Sequence, residues 1–176
     1  MTTMALNHTT RRAATLAAVL AGLAASAVPA HAATAAPACA HLCVLDARTG
    51  AHPDYDRLVL DLTGNGAPPT VHARVSSDGA YHVAARDEDK KLQITGKSYL
   101  FVDVDPADTA DSGPDAFTGP TVQSVALPSL KGFQMTAGGG FEMDHTTTFG
   151  LSLGDYSGYK VFTLTAPNRV VVDLYH

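Results

Sequence analysis

Two six-residue stretches far apart in the chain carry one pattern. Arg57-Leu58-Val59-Leu60-Asp61-Leu62 and Arg169-Val170-Val171-Val172-Asp173-Leu174 both read Arg, apolar, Val, apolar, Asp, Leu. Alternate side chains of a strand face opposite sides, so Leu58, Leu60 and Leu62 share one face, as do Val170, Val172 and Leu174, and both triplets are predicted to be core. Arg57, Val59 and Asp61 face the other way. Antiparallel pairing with Val59 opposite Val171 sets Arg57 against Asp173 and Arg169 against Asp61, whereas parallel pairing in the same register sets Arg against Arg. Opposite charges across a pair contribute only about 0.2–1 kcal/mol, so these two structural pairs choose a register more than they add stability.

The chain between the repeats is a succession of short β-type segments: Leu58 to Thr63, Val71 to Ser76, Tyr81 to Arg86, Leu92 to Thr95, Tyr99 to Val104, Thr121 to Leu127, Phe141-Glu142 extending towards Leu153, Tyr159 to Thr165 and Arg169 to Tyr175. No helical stripe accompanies them. Gly64-Asn65-Gly66, Gly138-Gly139-Gly140 and Ala166-Pro167-Asn168 mark turns. Ser77-Asp78-Gly79 is read as a hairpin turn, because Asp-Gly supplies the positive φ that tight hairpins need. Many short strands without a helical period predict an all-β fold, a single antiparallel β-sandwich.

The first 32 residues read as an export signal. Arg11 and Arg12 precede the apolar run Ala13 to Val28, and Ala30-His31-Ala32 fits a small-x-small cleavage site. That run is shorter than the ~20 apolar residues that span a bilayer, so no membrane span is expected after cleavage. Residues 33–43 read as an Ala-rich leader, and 44–176 as the folded domain. The whole chain has 12 Lys and Arg against 17 Asp and Glu, net −5; both positive charges of the signal are lost on cleavage, leaving 10 against 17 and a net charge of −7. This acidic balance argues against nucleic acid as a partner, since phosphates need a basic face. Export to an oxidising compartment favours pairing the only thiols, Cys39 and Cys43. A metal site from Cys39, His41 and Cys43 has cramped spacing and no fourth ligand, so no metal or other cofactor is expected. Five Asp residues at 103, 105, 108, 111 and 115 suggest calcium by their chemistry, but Pro106 and Ala107 break the spacing of a standard loop; the segment is read as exposed and kept soluble by charge.

Catalytic signatures are sparse. His41, His52, His72, His82, His145 and His176 form no His-Glu-x-x-His run; Glu142 and His145 stand on opposite faces if they lie on a strand, and no Gly-x-Ser-x-Gly elbow occurs. His72 and His82 flank the predicted hairpin, where two surface imidazoles are expected rather than a catalytic pair.

The stretches Gly50-Ala51-His52-Pro53-Asp54-Tyr55-Asp56-Arg57 through Leu62, and Tyr159 through Asp173, resemble the AMIN-like domain of secreted actinobacterial proteins, a relative of the AMIN domain found beside cell-wall amidases. The resemblance runs from about Val44 to His176 and implies a β-sandwich that targets the cell envelope, with peptidoglycan or another envelope component as partner. Relatives often carry a catalytic domain after this module; here His176 follows the last strand, so no enzyme is expected in cis. A secreted or wall-associated, monomeric, non-catalytic binding module is therefore expected. The alternatives are a small secreted hydrolase with an unmarked Ser/His or acid pair, and an interaction module that adds a partner strand at a sheet edge. The candidate ligand residues are Arg57 and Arg169, whose forked donors match carboxylates, with Tyr55 and Tyr159 as aromatic surfaces in a chain without Trp. The same arginines are candidates for the cross-strand pairs.

Overall fold

The computed structural model describes residues 39, 42–64, 67–110, 115–138 and 145–176. The export signal at 1–32, most of the leader, parts of the Gly64-Asn65-Gly66 and Gly138-Gly139-Gly140 turns, and the strand start at Phe141-Glu142 lie outside them. Eleven strands are described: β1 (Val44–Ala51), β2 (Tyr55–Leu62), β3 (Thr70–Ser76), β4 (Ala80–Val83), β5 (Glu88–Lys91), β6 (Ser98–Asp105), β7 (Val122–Ser124), β8 (Leu130–Ala137), β9 (Thr147–Leu153), β10 (Gly158–Leu164) and β11 (Arg169–Tyr175). One 3-10 turn, Ala84–Arg86, joins β4 to β5. Among the described residues no helix is long and apolar enough to cross a membrane.

The strands form an antiparallel sandwich. One sheet has the order β1-β2-β11-β10, the other β3-β6-β9-β8-β7, and β4 and β5 make a separate ribbon. The repeats account for the centre of the first sheet: β2 and β11 pair antiparallel with Val59 opposite Val171, Arg57 opposite Asp173 and Asp61 opposite Arg169. Leu58, Leu60, Leu62, Val170, Val172 and Leu174 all enter the core, where they meet Leu100, Val102, Val104, Phe133, Phe149 and Leu151 of the facing sheet. Period-two alternation on both sheets drives this burial.

Several expected strands and pairings differ from the structure. The Ser77-Asp78-Gly79 turn forms, with Gly79 at φ +68°, but its flanking strands do not pair: β3 pairs with β6, and β4 with β5. The turn's own hydrogen bonds, from the Gly79 N–H to Ser76 Oγ and from the Ala80 N–H to Asp78 Oδ1, satisfy the chain while it changes layers. The strand expected at Leu92–Thr95 lies earlier, at Glu88–Lys91. Leu92 leaves the ribbon and is buried with Tyr99 and Phe101 on the outer side of the five-stranded sheet. Gly150 leaves room for it, since a Cβ there would stand 2.5 Å from Leu92 Cδ2. Strands β1 and β8 were not expected.

The Cys39–Cys43 disulfide is packed against Ala116 and Leu45. Leu42 and Cys43 are buried, and Cys43 forms an isolated bridge with Asp108, so the packed domain begins ahead of Val44. The acidic loop is not simply an exposed segment. Asp108 is 2% exposed and its Oδ1 lies 3.0 Å from His145 Nδ1, while Asp103 accepts a bond from Thr148 Oγ1 at 2.8 Å. Its carboxylates bind the approach to β9.

Candidate functional site

Alternation that sends one half of each strand into the core sends the other half outward. On the four-stranded sheet the register aligns these outward residues in rows: Arg57, Asp173 and Lys160 in one, Val59, Val171 and Phe162 in the next, and Asp61, Arg169 and Leu164 beyond. Tyr55 and Tyr175 form the row on the other side of Arg57.

Arg57 is the centre of this face. Its Nε donates to Asp173 Oδ1 at 2.6 Å and its Nη2 to Oδ2 at 2.8 Å. The Asp173 side chain is 5% exposed and that of Arg57 28%, so the paired carboxylate is largely removed from water while the guanidinium keeps contact with it. The hydrogen bond to Asp173 raises the Arg57 pKa above its already high ordinary value, against the opposing effect of desolvation. The fork to Asp173 uses two of the five guanidinium N–H groups, leaving three. Arg57 Cζ lies 4.9 Å from the Tyr55 ring centroid and 5.9 Å from that of Phe162. His52 stacks on Tyr55 at 4.4 Å, Tyr175 meets Tyr55 edge-on at 5.8 Å, and Lys160 Nζ lies 5.1 Å from the Phe162 centroid. The result is a charged aromatic surface held by one buried carboxylate.

The four sequence candidates divide. Tyr55 and Arg57 are in contact. Arg169 lies on the same face, but the expected Arg169–Asp61 ion pair gives way to another: Arg48 of β1 donates to Asp61 through Nε at 2.6 Å and Nη2 at 3.0 Å. Asp61 is flanked by arginines from both neighbouring strands, and the Arg48 fork occupies both its oxygens. Arg169 Nε is buried without a hydrogen-bond partner. Tyr159 pairs with Leu174 and so points to the opposite face from Arg57; it is 39% exposed at the sheet edge. His52, Lys160 and Phe162 were not anticipated, and Tyr175 entered only as one of six tyrosines that could stand in for a missing Trp. Extending the outward alternation of each repeat by two residues, back to Tyr55 and on to Tyr175, is the signal that sets these two rings side by side.

Other candidate chemistry is dispersed. His72 and His82 lie in different sheets, and His82 Nδ1 sits 3.0 Å from Asp89 Oδ1. Glu142, weighed with His145, lies outside the described residues. Among the described residues no three His, Cys, Asp or Glu side chains gather as metal ligands. Among the described residues one Ser-His-Asp alignment occurs: Ser129 Oγ is 3.0 Å from His176 Nδ1, and His176 Nε2 is 3.9 Å from Asp56 Oδ1. Ser129 and Asp56 are fully buried, and the Ser129 hydroxyl donates to the Asp155 carbonyl at 2.6 Å. That proton is therefore not offered to the imidazole, and the trio holds chain segments together rather than presenting a nucleophile.

Fold and face together define a β-sandwich module with a preformed, charged aromatic surface. The AMIN-like domain model matches residues 42–176, and the chain belongs to the AMIN-like domain family. No curated protein matches it. AMIN-like domains are generally non-catalytic binding modules and occur in periplasmic or extracellular proteins associated with the cell wall.

Proposed function

We propose that this chain is an exported, non-catalytic module that binds peptidoglycan through the outer face of its four-stranded sheet. The observation that carries the reading is Arg57, fixed by Asp173 between Tyr55 and Phe162 with donors to spare. A planar guanidinium suits the carboxylates of stem peptides, and the His52–Tyr55–Tyr175 cluster offers ring faces to sugar. Because an already positioned cation loses little freedom on contact, the face favours binding without rearrangement.

The test is co-sedimentation of the mature chain with purified wall sacculi. The wild type is expected in the pellet at low salt and partly released as salt rises, since an exposed charge contact is screened. Arg57→Gln should lower the pelleted fraction severalfold. Absence of the wild type from the pellet at low salt would overturn the reading. Labelled sacculi incubated with the chain should release no more soluble fragments than the buffer control; release above that level would favour a hydrolase instead.

A further inference from the structure

A second concave surface lies at the end of the sandwich where β10 begins and β11 ends, next to the Tyr55–Tyr175 row and distinct in its residues from the Arg57 cluster. The β5–β6, β7–β8 and β9–β10 connections meet there around two hollows of 400 and 560 Å³ that share Pro128 and Asp155. Each is within the roughly 300–1,000 Å³ typical of small-ligand sites. Thr95, Lys97 and Lys131 border the smaller hollow, and Tyr156 and His176 the larger.

The walls are fixed by main-chain bonds. The Lys97 N–H donates to the Leu153 carbonyl at 2.7 Å and the Gly154 N–H to the Ser129 carbonyl at 2.9 Å. Glycine permits this approach: a Cβ on Gly154 would fall 2.4 Å from the Pro128 carbonyl oxygen, and one on Gly96 2.7 Å from the Leu153 nitrogen. The charge is unusual for an acidic chain, with two ammonium groups facing one carboxylate. Lys97 Nζ is 2.6 Å from both oxygens of Asp155, and Lys131 Nζ donates to the Leu127 carbonyl at 2.7 Å. Lys131 thus spends one of its three N–H groups on the protein and keeps two.

We infer that this groove binds the free carboxylate end of a short peptide with small side chains. At the smaller hollow one surplus positive charge matches a monoanion; a phosphate dianion would call for a second cation or a nest of main-chain N–H groups, and of the two lysines there Lys131 is the one not paired with a carboxylate. Pro128 and the half-buried Tyr156 give methyl-sized side chains an apolar surface beside the charge, and the Thr95 hydroxyl supplies a further polar contact. The inference does not depend on wall binding by the Arg57 face.

The test is a titration of the isotope-labelled chain, followed by amide NMR, with acetyl-trialanine and with its C-terminal amide. The free acid should shift the signals of Gly96, Lys97, Gly154 and Asp155 and bind at least fivefold more tightly than the amide. Lys131→Gln should weaken the acid about fivefold, and Lys131→Arg should restore it; Lys97→Gln is a second variant that removes the surplus charge. Equal binding of acid and amide, no shifts in the groove, undiminished binding by both glutamine variants, or stronger binding of inorganic phosphate than of the peptide acid would each overturn the proposal. Because Arg57→Gln leaves the groove intact, its effect on sacculus pelleting and the groove's response to the peptide are read separately.

Discussion

Asp56 is buried on the core side of β2, where Oδ2 accepts the main-chain N–H groups of Ser129 at 2.6 Å and Leu130 at 3.0 Å. One carboxylate therefore ties the first sheet to the start of β8 in the second. Its other oxygen has no hydrogen-bond partner and faces His176 Nε2. Asp56→Ala leaves two buried N–H groups unsatisfied and should cost about 3 kcal/mol in urea unfolding, whereas Asp56→Asn, which keeps an acceptor, should cost less. Asp155 is the opposite case, fully exposed and held below the ordinary Asp pKa first by its hydrogen bond from Lys97 and then by that residue's charge. A carboxyl whose folded pKa is lowered contributes stability above its unfolded pKa and loses it as pH falls through the folded value. Carbon-detected NMR titration should place the Asp155 midpoint below that of a free Asp side chain, and Lys97→Gln should move it upward. A midpoint unchanged by that substitution would mean that the pair does not form in solution.

The repeats were legible because β2 and β11 have unbroken alternation, so reading either face gives the register. Strands β1 and β8 were not, and the cause is the same in both. Pairing of β1 with β2 shifts between Val44 and Asp46, and pairing of β8 with β9 shifts between Leu130 and Gly132 and again between Met135 and Ala137. A bulge adds a residue and reverses which parity faces the core: Leu130 and Phe133 are both buried, three positions apart. Missing β1 also hid Arg48, which is why Asp61 was assigned to Arg169. Phe101 shows another limit, since it is on the outer side of β6 and yet 0% exposed under the β4–β5 ribbon, a tertiary cover that no local pattern announces. Two tests belong at this scale. Arg57→Asp should destabilise the domain by about 1–3 kcal/mol by setting two carboxylates together, and adding Asp173→Arg should recover most of the loss if register is what the pair supplies. Gly132→Ala would place a Cβ 2.5 Å from the Gln123 carbonyl oxygen, so it should cost about 1–3 kcal/mol and release the amide protons of β7 before those of β6.

For the molecule as a whole, the disulfide is a minor brace. Cys39 and Cys43 are only four positions apart, and closing so short a loop removes little freedom from the unfolded chain, about 2 kcal/mol in a chain-entropy account. Replacing both with Ser should lower the midpoint of thermal unfolding by several degrees and leave the β-sheet circular dichroism unchanged. The placement of the two repeats weighs more. Strand β2 comes near the beginning of the domain and β11 at its end, yet they are neighbours in the middle of one sheet. A ribosome releasing this chain delivers β2 long before its partner, and until residues 169–175 emerge β2 lacks one neighbour and the core lacks Val170, Val172 and Leu174. Such sequence-distant pairing slows folding and discourages a stable half-formed state. The sandwich thus closes only after synthesis of the domain is complete, a timing that keeps the chain threadable up to the moment its last strand arrives.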